Sequence, residues 1–534
     1  MSDSPSPAGP ATDGTSEDGA ARPGISGGEF RPAGPSRGRT PSAASAAPAA
    51  PAGPAVPDAP ERPRGRTVPH LWAVVLAACA GQFLVVLDVS VVNVALPSMR
   101  RALGLDAVGL QWVVNAYTLT FAGFMLLGGR AADLFGRKRI FLLGLGLFSA
   151  ASLAGGLAQQ PWHLLAARGL QGVGAAVLAP ATLTILTTSI PEGPARTRAI
   201  GTWTAVGAGG GAAGGLVGGV LTDQLSWRWV LLINVPVGAL VLAGAALWLA
   251  ETRDATLRRR LDVPGAVLVT LGIGALAAGI VRTDTAGWTS GAALGPMAAG
   301  AVLLALFAAV ESRTAAPLVP LRLFRLRSVS AANAAMFVCG SAMFCMWYFM
   351  SLYMQNVLHY TPIQTGLGFV PQSLSIVLGS KAAPRLMALT GARGLAVLGA
   401  VLGAAGYWWQ SGMHAGGGFL DTVFGPGVLM ALGAGLASTP LAAVATGGVP
   451  SGDAGLVSGL INTSRTMGGS LGLAVLSTVA AARIGHGGGP ATLASGYGLA
   501  FRTGSLVLVG CALFIAFAFP RGTVHAAGEA AGKE

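Results

Sequence analysis

Three apolar stretches of this chain hold a charged side chain well inside them: Asp88, Arg168 and Arg465. Asp88, in "LDVSVVNVALP", lies about nine residues from the end of its run, and Arg168 about five residues into its own. A charge at such depth is expensive, so it faces the interior of a helix bundle and marks function by default. A carboxyl group loses its preference for ionisation when water leaves it and regains it beside a cation, which is what a proton carrier requires. At 1.5 Å per residue the two side chains sit roughly 13 and 8 Å below the same face, within reach of each other on neighbouring helices. The plainer alternatives are a structural carboxyl bonded to Asn93, and an arginine that snorkels to the interface. Arg465, in "NTSRTMGG", lies about nine residues inside its run; binding an anionic group of a substrate and snorkelling both stay open.

A fourth cluster is the stretch "GGRAADLFGRKRI" between two apolar runs. Gly129 and Gly136 permit a tight turn, and Asp133 stands between them beside Arg137 and Lys138. A solvated basic loop accounts for the arginines but not for a carboxylate between spaced glycines. Paired with a basic group at a helix end, Asp133 supplies a contact of a few kcal/mol that a moving structure must break. "AVGAGGGAAGGLVGGVL" is more regular still: Gly207, Gly211, Gly215 and Gly219 form one strip of a helix, and Gly210, Gly214 and Gly218 the next. Such ladders let helix backbones approach closely. Asn115, Gln171, Asn234 and Asn462 join Asn93 and the first strip as residues that line a cavity or pack helices.

The elements that hold these residues follow from composition. Of 534 residues, 52% are hydrophobic and 10% charged, too few charges to cover a water-facing surface, so the chain is an all-α polytopic membrane protein. Fourteen apolar runs lie near 71–97, 109–129, 139–159, 163–189, 199–222, 228–249, 264–282, 291–310, 329–357, 363–388, 394–412, 419–446, 456–482 and 498–519. Residues 1–69 contain 14 of the 32 prolines and one aromatic residue. That composition reads as a disordered tail, and without an apolar core it is no cleavable signal peptide.

An even number of spans puts both termini on one side, and loop charge says which. The tail's side carries the basic residues of 130–139, Arg196 and Arg198, Arg253 and Arg258 to Arg260, Arg313 to Arg327, Arg385 and Arg393. The opposite loops hold Arg100, Arg101, Arg228, Arg282, Arg483 and Arg502. Basic loops stay inside, so both termini are expected in the cytoplasm. Trp72, Trp112, Trp162, Trp227, Trp229 and Trp288 fall near span ends, where interfacial anchors belong. The net charge of +13 is thereby a topology signal and not a nucleic-acid footprint.

"GVGAAVLAPATLTILTTSIPEG" aligns without gaps to "ALGAGLASTPLAAVATGGVPSG", sharing Gly174 with Gly433, Pro191 with Pro450 and Gly193 with Gly452. Each copy is the fourth span of a six-span block, and two such blocks related by a parallel repeat are a transporter plan. With "RGLQGVGAA" and "WRWVLLINVPVG" in the fourth and sixth spans, the sequence resembles the fourteen-span drug:proton antiporter branch of the major facilitator superfamily over roughly residues 70–520. "GRAADLFGRKRI" resembles that superfamily's loop signature, with Ala131 and Leu134 departing from it.

The resemblance implies bundles at 70–250 and 329–520, an inserted pair at 251–328, and short tails at 1–69 and 521–534. It implies a loop that locks the halves when the cavity faces outward, with Lys381 and Arg385 as a degenerate counterpart. It also implies Asp88 and Arg168 as the proton-coupling pair, in a monomer of the cytoplasmic membrane that needs no cofactor beyond the proton gradient. The antiporter motif of the fifth span carries proline where this chain has Gly215. Relatives that move dications carry a second acid in the later spans; none stands here, which favours neutral or anionic amphiphiles.

No H-E-x-x-H spacing or Walker A segment occurs, so a metalloenzyme or an ATP-driven pump is not indicated. The expected partners are a small amphiphilic substrate, protons and lipid, with no nucleic acid and no metal. The rivals are an exporter of a self-made metabolite and, further off, a sensor or channel.

Overall fold

Backbone amides have no water to bond in a bilayer, so long apolar runs must satisfy them internally as helix. The computed structural model shows helices and no strand among its described residues, which are 71–519 apart from 192, 252–260, 315–316, 448, 450–452 and 486–487. Both tails, Arg253, Arg258 to Arg260, Pro450 and Gly452 lie outside the described residues.

The first half comprises α1 (Leu71–Leu103), α2 (Ala107–Phe135), α3 (Arg137–Gly156), α4 (Pro161–Ser189), α5 (Pro194–Gln224), the short α6 (Trp229–Leu232) and α7 (Asn234–Trp248). Next come α8 (Val263–Ala286) and α9 (Gly291–Arg313), then α10 (Arg327–Asn356), α11 (Pro362–Gln410), α12 (Gly425–Thr446), α13 (Ala454–Ile484) and α14 (Pro490–Ala518). Thirteen helical stretches are long and apolar enough to cross a membrane, with α6 and α7 counted together. One of them, α11, has 49 residues, about 74 Å at 1.5 Å per residue against a hydrocarbon core of roughly 30 Å. It breaks at Gly391, where φ is 73°, a left-handed conformation that glycine adopts without a Cβ penalty. Each arm of α11 is itself long enough to cross, which accords with fourteen spans.

In the first half α1 packs on α4, α5 and α7, and α4 on α2 and α3. In the second, α10 packs on α12, α13 and α14, and α11 on α12 and α14. The repeat is visible in backbone contacts. A Cβ on Gly174 of α4 would lie 2.6 Å from the Phe148 nitrogen of α3, and one on Gly433 of α12 at 2.5 Å from the Gly403 nitrogen of α11. The fourth span of each block thus leans on the third through the same glycine. Helices α8 and α9 pack on each other, and α8 touches α2 and α13.

The halves meet through α1 with α10, α2 with α13 and α5 with α11. Ser351 Oγ donates to the Asn93 carbonyl at 2.6 Å, Gln355 Nε2 to the Val94 carbonyl at 2.8 Å and Ser470 Oγ to Asn115 Oδ1 at 3.0 Å. All three bonds lie toward the end of the bundle where α1 ends and α2 begins, called outer here. An apolar cluster drawn from α1, α2, α10, α13 and α14 fills the same region, so the outer end is closed.

Trp227 corrects one reading. It is only 4% exposed inside that cluster, with the Arg228 guanidinium 4.5 Å from its ring centre, so it is a packing residue and not an interfacial anchor. Trp72, Trp162 and Trp288 are exposed.

Candidate functional site

Asp88 is completely buried and Arg168 2% exposed. Arg168 Nη1 donates to Asp88 Oδ2 at 2.6 Å, Gln171 Nε2 to Asp88 Oδ1 at 2.7 Å and Asn234 Nδ2 to the same oxygen at 3.1 Å. Arg168 and Gln171 are three residues apart on α4 and so share a face, and the Arg168 Nη1 group also donates to Gln171 Oε1 at 2.6 Å. The turn that ends α6 makes Asn234 the first residue of α7, which brings its amide to Asp88. Ser152 of α3 accepts from Gln171 at 2.8 Å and donates its own hydroxyl to the Phe148 carbonyl. Arg168 Nε donates to the Val113 carbonyl at 3.1 Å, and its guanidinium lies 4.4 Å from the Tyr117 ring centre.

Glycine makes the approach possible. A Cβ on Gly172 would collide with the Tyr117 carbonyl of α2, so α4 and α2 touch at backbone distance beside the pair. The result is a carboxyl group with three donors, enclosed by α1, α2, α3, α4 and α7. Removing one member of such a pair typically costs about 3–5 kcal/mol, because the other charge stays buried alone.

Asp88 and Arg168, set at matching depths by the sequence, meet directly. Gln171 and Asn234 belong to the same network. Asn93 does not: its amide donates to the Val89 carbonyl of its own helix at 2.9 Å. Asn115 joins the halves through Ser470. Ser152 and Tyr117 were missed, since one serine and one tyrosine in apolar helices carry no signal of their own.

Of the charges around the α2–α3 turn, Arg130 Nη1 reaches the Pro317 carbonyl beyond α9 at 3.5 Å. Arg137 Nη2 pairs with Asp133 Oδ1 at 3.1 Å, four residues apart. Glu251, not singled out in the sequence, accepts from the backbone N–H groups of Lys138 at 3.2 Å and Arg139 at 3.1 Å. A carboxylate there complements the positive end of α3. Lys138 Nζ donates to the Ala246 carbonyl at 2.7 Å. Gly136 has φ 108°, and a Cβ there would meet the Glu251 carboxylate; Gly129 faces Pro180 across 3.5 Å. Lys381 and Arg385 are exposed and form no ion pair among the described residues.

The glycines of α5 have two sets of partners. Gly210, Gly214 and Gly218 lie against α1, as do Gly207 beside Gln82 and Gly211 beside Val86. Gly215 and Gly219, further out, lie against Gly366 and Pro362 of α11. Helix α5 runs unbroken from Pro194 to Gln224 with Gly215 in place. Arg465 and Asn462 lie on α13, Asn462 exposed and Arg465 half-buried. No group of His, Cys, Asp and Glu able to hold a metal occurs among the described residues.

The sequence profile of the Major Facilitator Superfamily matches residues 78–473. The chain is 50% identical over 441 residues to the cephamycin export protein of Amycolatopsis lactamdurans, covering 82% of this chain and 89% of that one. It is 37% identical over 454 residues to the puromycin resistance protein of Streptomyces alboniger, covering 82% and 90%. Among solved structures, a bacterial homologue of the human lysosomal transporter Spinster, inward-facing and unoccupied, superposes with a TM-score of 0.58 at 18% identity. That match covers 85% of this chain and 96% of the other, and it concerns the fold.

Proposed function

The chain belongs to the Major Facilitator Superfamily, and we propose that it exports amphiphilic small molecules, antibiotics among them, in exchange for protons. It is a multi-pass membrane transporter and not an enzyme. The observation that carries the coupling step is the buried Asp88–Arg168 pair with its amide donors. Protonating Asp88 cancels the charge that holds Arg168, Gln171 and Asn234 together, so proton uptake loosens contacts between α1, α4 and α7. Losing the proton restores them. A proton therefore shifts the balance between two packings of the first half, and a gradient makes that shift directional.

The bundles 70–250 and 329–520 are the two rocking bodies, with both termini in the cytoplasm and the cytoplasmic membrane as the site of action. The chain acts as a monomer and draws on the proton gradient with no bound cofactor. The resemblance of 50% to a protein named for cephamycin export also supports a narrower reading, export of one metabolite made by the same cell. Everted membrane vesicles test both. Proton-driven uptake of several antibiotics supports the broad reading, uptake of a single one the narrow reading, and uptake insensitive to a protonophore defeats the coupling.

Asp133 is part of a gate in this scheme. With the outer end closed, it pairs with Arg137 of its own loop and is free to exchange partners when the halves meet on the tail side. Asp133→Asn is expected to lower turnover by about tenfold while substrate affinity stays within about threefold, since the contact biases states without lining the cavity. An unchanged export rate in vesicles would reduce the loop to a topology signal.

A further inference from the structure

Helix α13 packs on α2, α8, α10 and α14. Gly459 lies against Leu126 and Ser470 bonds Asn115, so one face rests on α2. Ser464 bonds Asn333, Gly468 meets Phe337 and Gly472 meets Ser341, so a second rests on α10. Between them, at helical spacing, run Ser458, Asn462, Arg465 and Gly469. Exposure along this strip falls from the start of α13 outward: Ser458 and Asn462 are exposed, Arg465 is half-buried and Gly469 is buried under the Phe344 ring. A polar strip open at one end and capped by an aromatic ring at the other, held between two central helices, is the wall of a water-filled cavity. The same groups facing lipid would be costly.

Arg465 stands apart from the other arginines of the core. Arg168 has Asp88, and Arg137 has Asp133; Arg465 has no ion pair and no hydrogen bond among the described residues, and its Nε is buried without a partner. A guanidinium offers planar donors suited to an oxyanion. One turn further along the strip, the Phe344 ring against Gly469 supplies apolar surface.

We propose that Arg465, with the Asn462 amide, binds the anionic group of the substrate while Phe344 receives its apolar part, so that the cargo is an amphiphilic organic anion. The proposal rests on the transporter reading above and assigns the cargo's chemistry. Two fluorescent amphiphiles that differ in one group test it: anilinonaphthalene sulfonate, an anion, and phenylnaphthylamine, its neutral parent. Binding is measured on the full-length protein in nanodiscs, against protein-free discs. Arg465→Gln is expected to weaken sulfonate binding by about tenfold or more and to leave the neutral dye within about twofold; Arg465→Lys should recover part of the loss.

Equal losses for both dyes, no loss for either, or no sulfonate binding to the wild type would overturn the assignment. Ser458→Cys, exposed on the same strip and outside the proposed contact, reads the site with Arg465 and Asn462 in place, should Arg465→Gln not accumulate. The sulfonate should slow alkylation of the new thiol by maleimide, and absent protection counts against the proposal. Charge-selective binding without proton-driven export would defeat the functional reading alone.

Discussion

Asp88→Asn is expected to abolish proton-driven export, a fall of at least about a hundredfold, or some 2.7 kcal/mol in the driven step. Asparagine has nearly the shape of aspartate but cannot take up and release a proton. The variant should still reach the membrane, because Arg168 keeps the Val113 carbonyl, Gln171 Oε1 and the face of Tyr117 as partners. Gradient-independent movement of substrate should survive, since it needs the cavity and not the proton. Everted vesicles with and without a protonophore decide it. Export by Asp88→Asn that still collapses when the gradient is dissipated would transfer the coupling role elsewhere. Asp262 and Glu311, buried carboxyls at the α8 and α9 ends, would be the next candidates.

Gly366→Val should be the second most damaging change, for a conformational reason. Gly366 of α11 faces the Gly215 carbonyl so closely that any Cβ collides with backbone, and Gly219 would place a Cβ 2.6 Å from the Pro362 carbonyl. A backbone clash has no rotamer escape, so the halves must part at the outer end. Export should drop by more than about tenfold at normal abundance. A cysteine introduced at Gln355, whose amide bonds the Val94 carbonyl in the closed state, should become reactive to an impermeant maleimide. Gly218→Val is the control: Gly218 meets Val91 of α1 inside the same half, so that change should lower thermal stability without opening the outer end. Wild-type export by Gly366→Val would show that closure at this contact is not needed for transport.

The α5 glycines show where reading a sequence stops. Their spacing says that two strips of the helix permit close approach, and the structure agrees that both are used. It does not say that one strip stays on α1 throughout while the other leaves α1 at Gly211 and meets α11 at Gly215 and Gly219. Ala- and Gly-rich helices carry little apolar asymmetry, so no face is labelled by the sequence itself. The second-half arginine shows the same limit: "NTSRTMGG" left Arg465 undecided between snorkelling and binding, and only the faces taken by α2 and α10 assign it a cavity wall.

Composition and run length by themselves determined the membrane class, the helical spans and the depths of Asp88 and Arg168, because burial in lipid is decided along one dimension, residue by residue. The tertiary structure decided who meets whom. The bonds to Asp88 come from residues 80, 83 and 146 positions away, and Asn115 finds Ser470 across 355. Such partners are chosen by how helices turn and lean on one another, and that depends on glycine contacts between backbones, which leave no periodic trace of their partner in either strand of sequence.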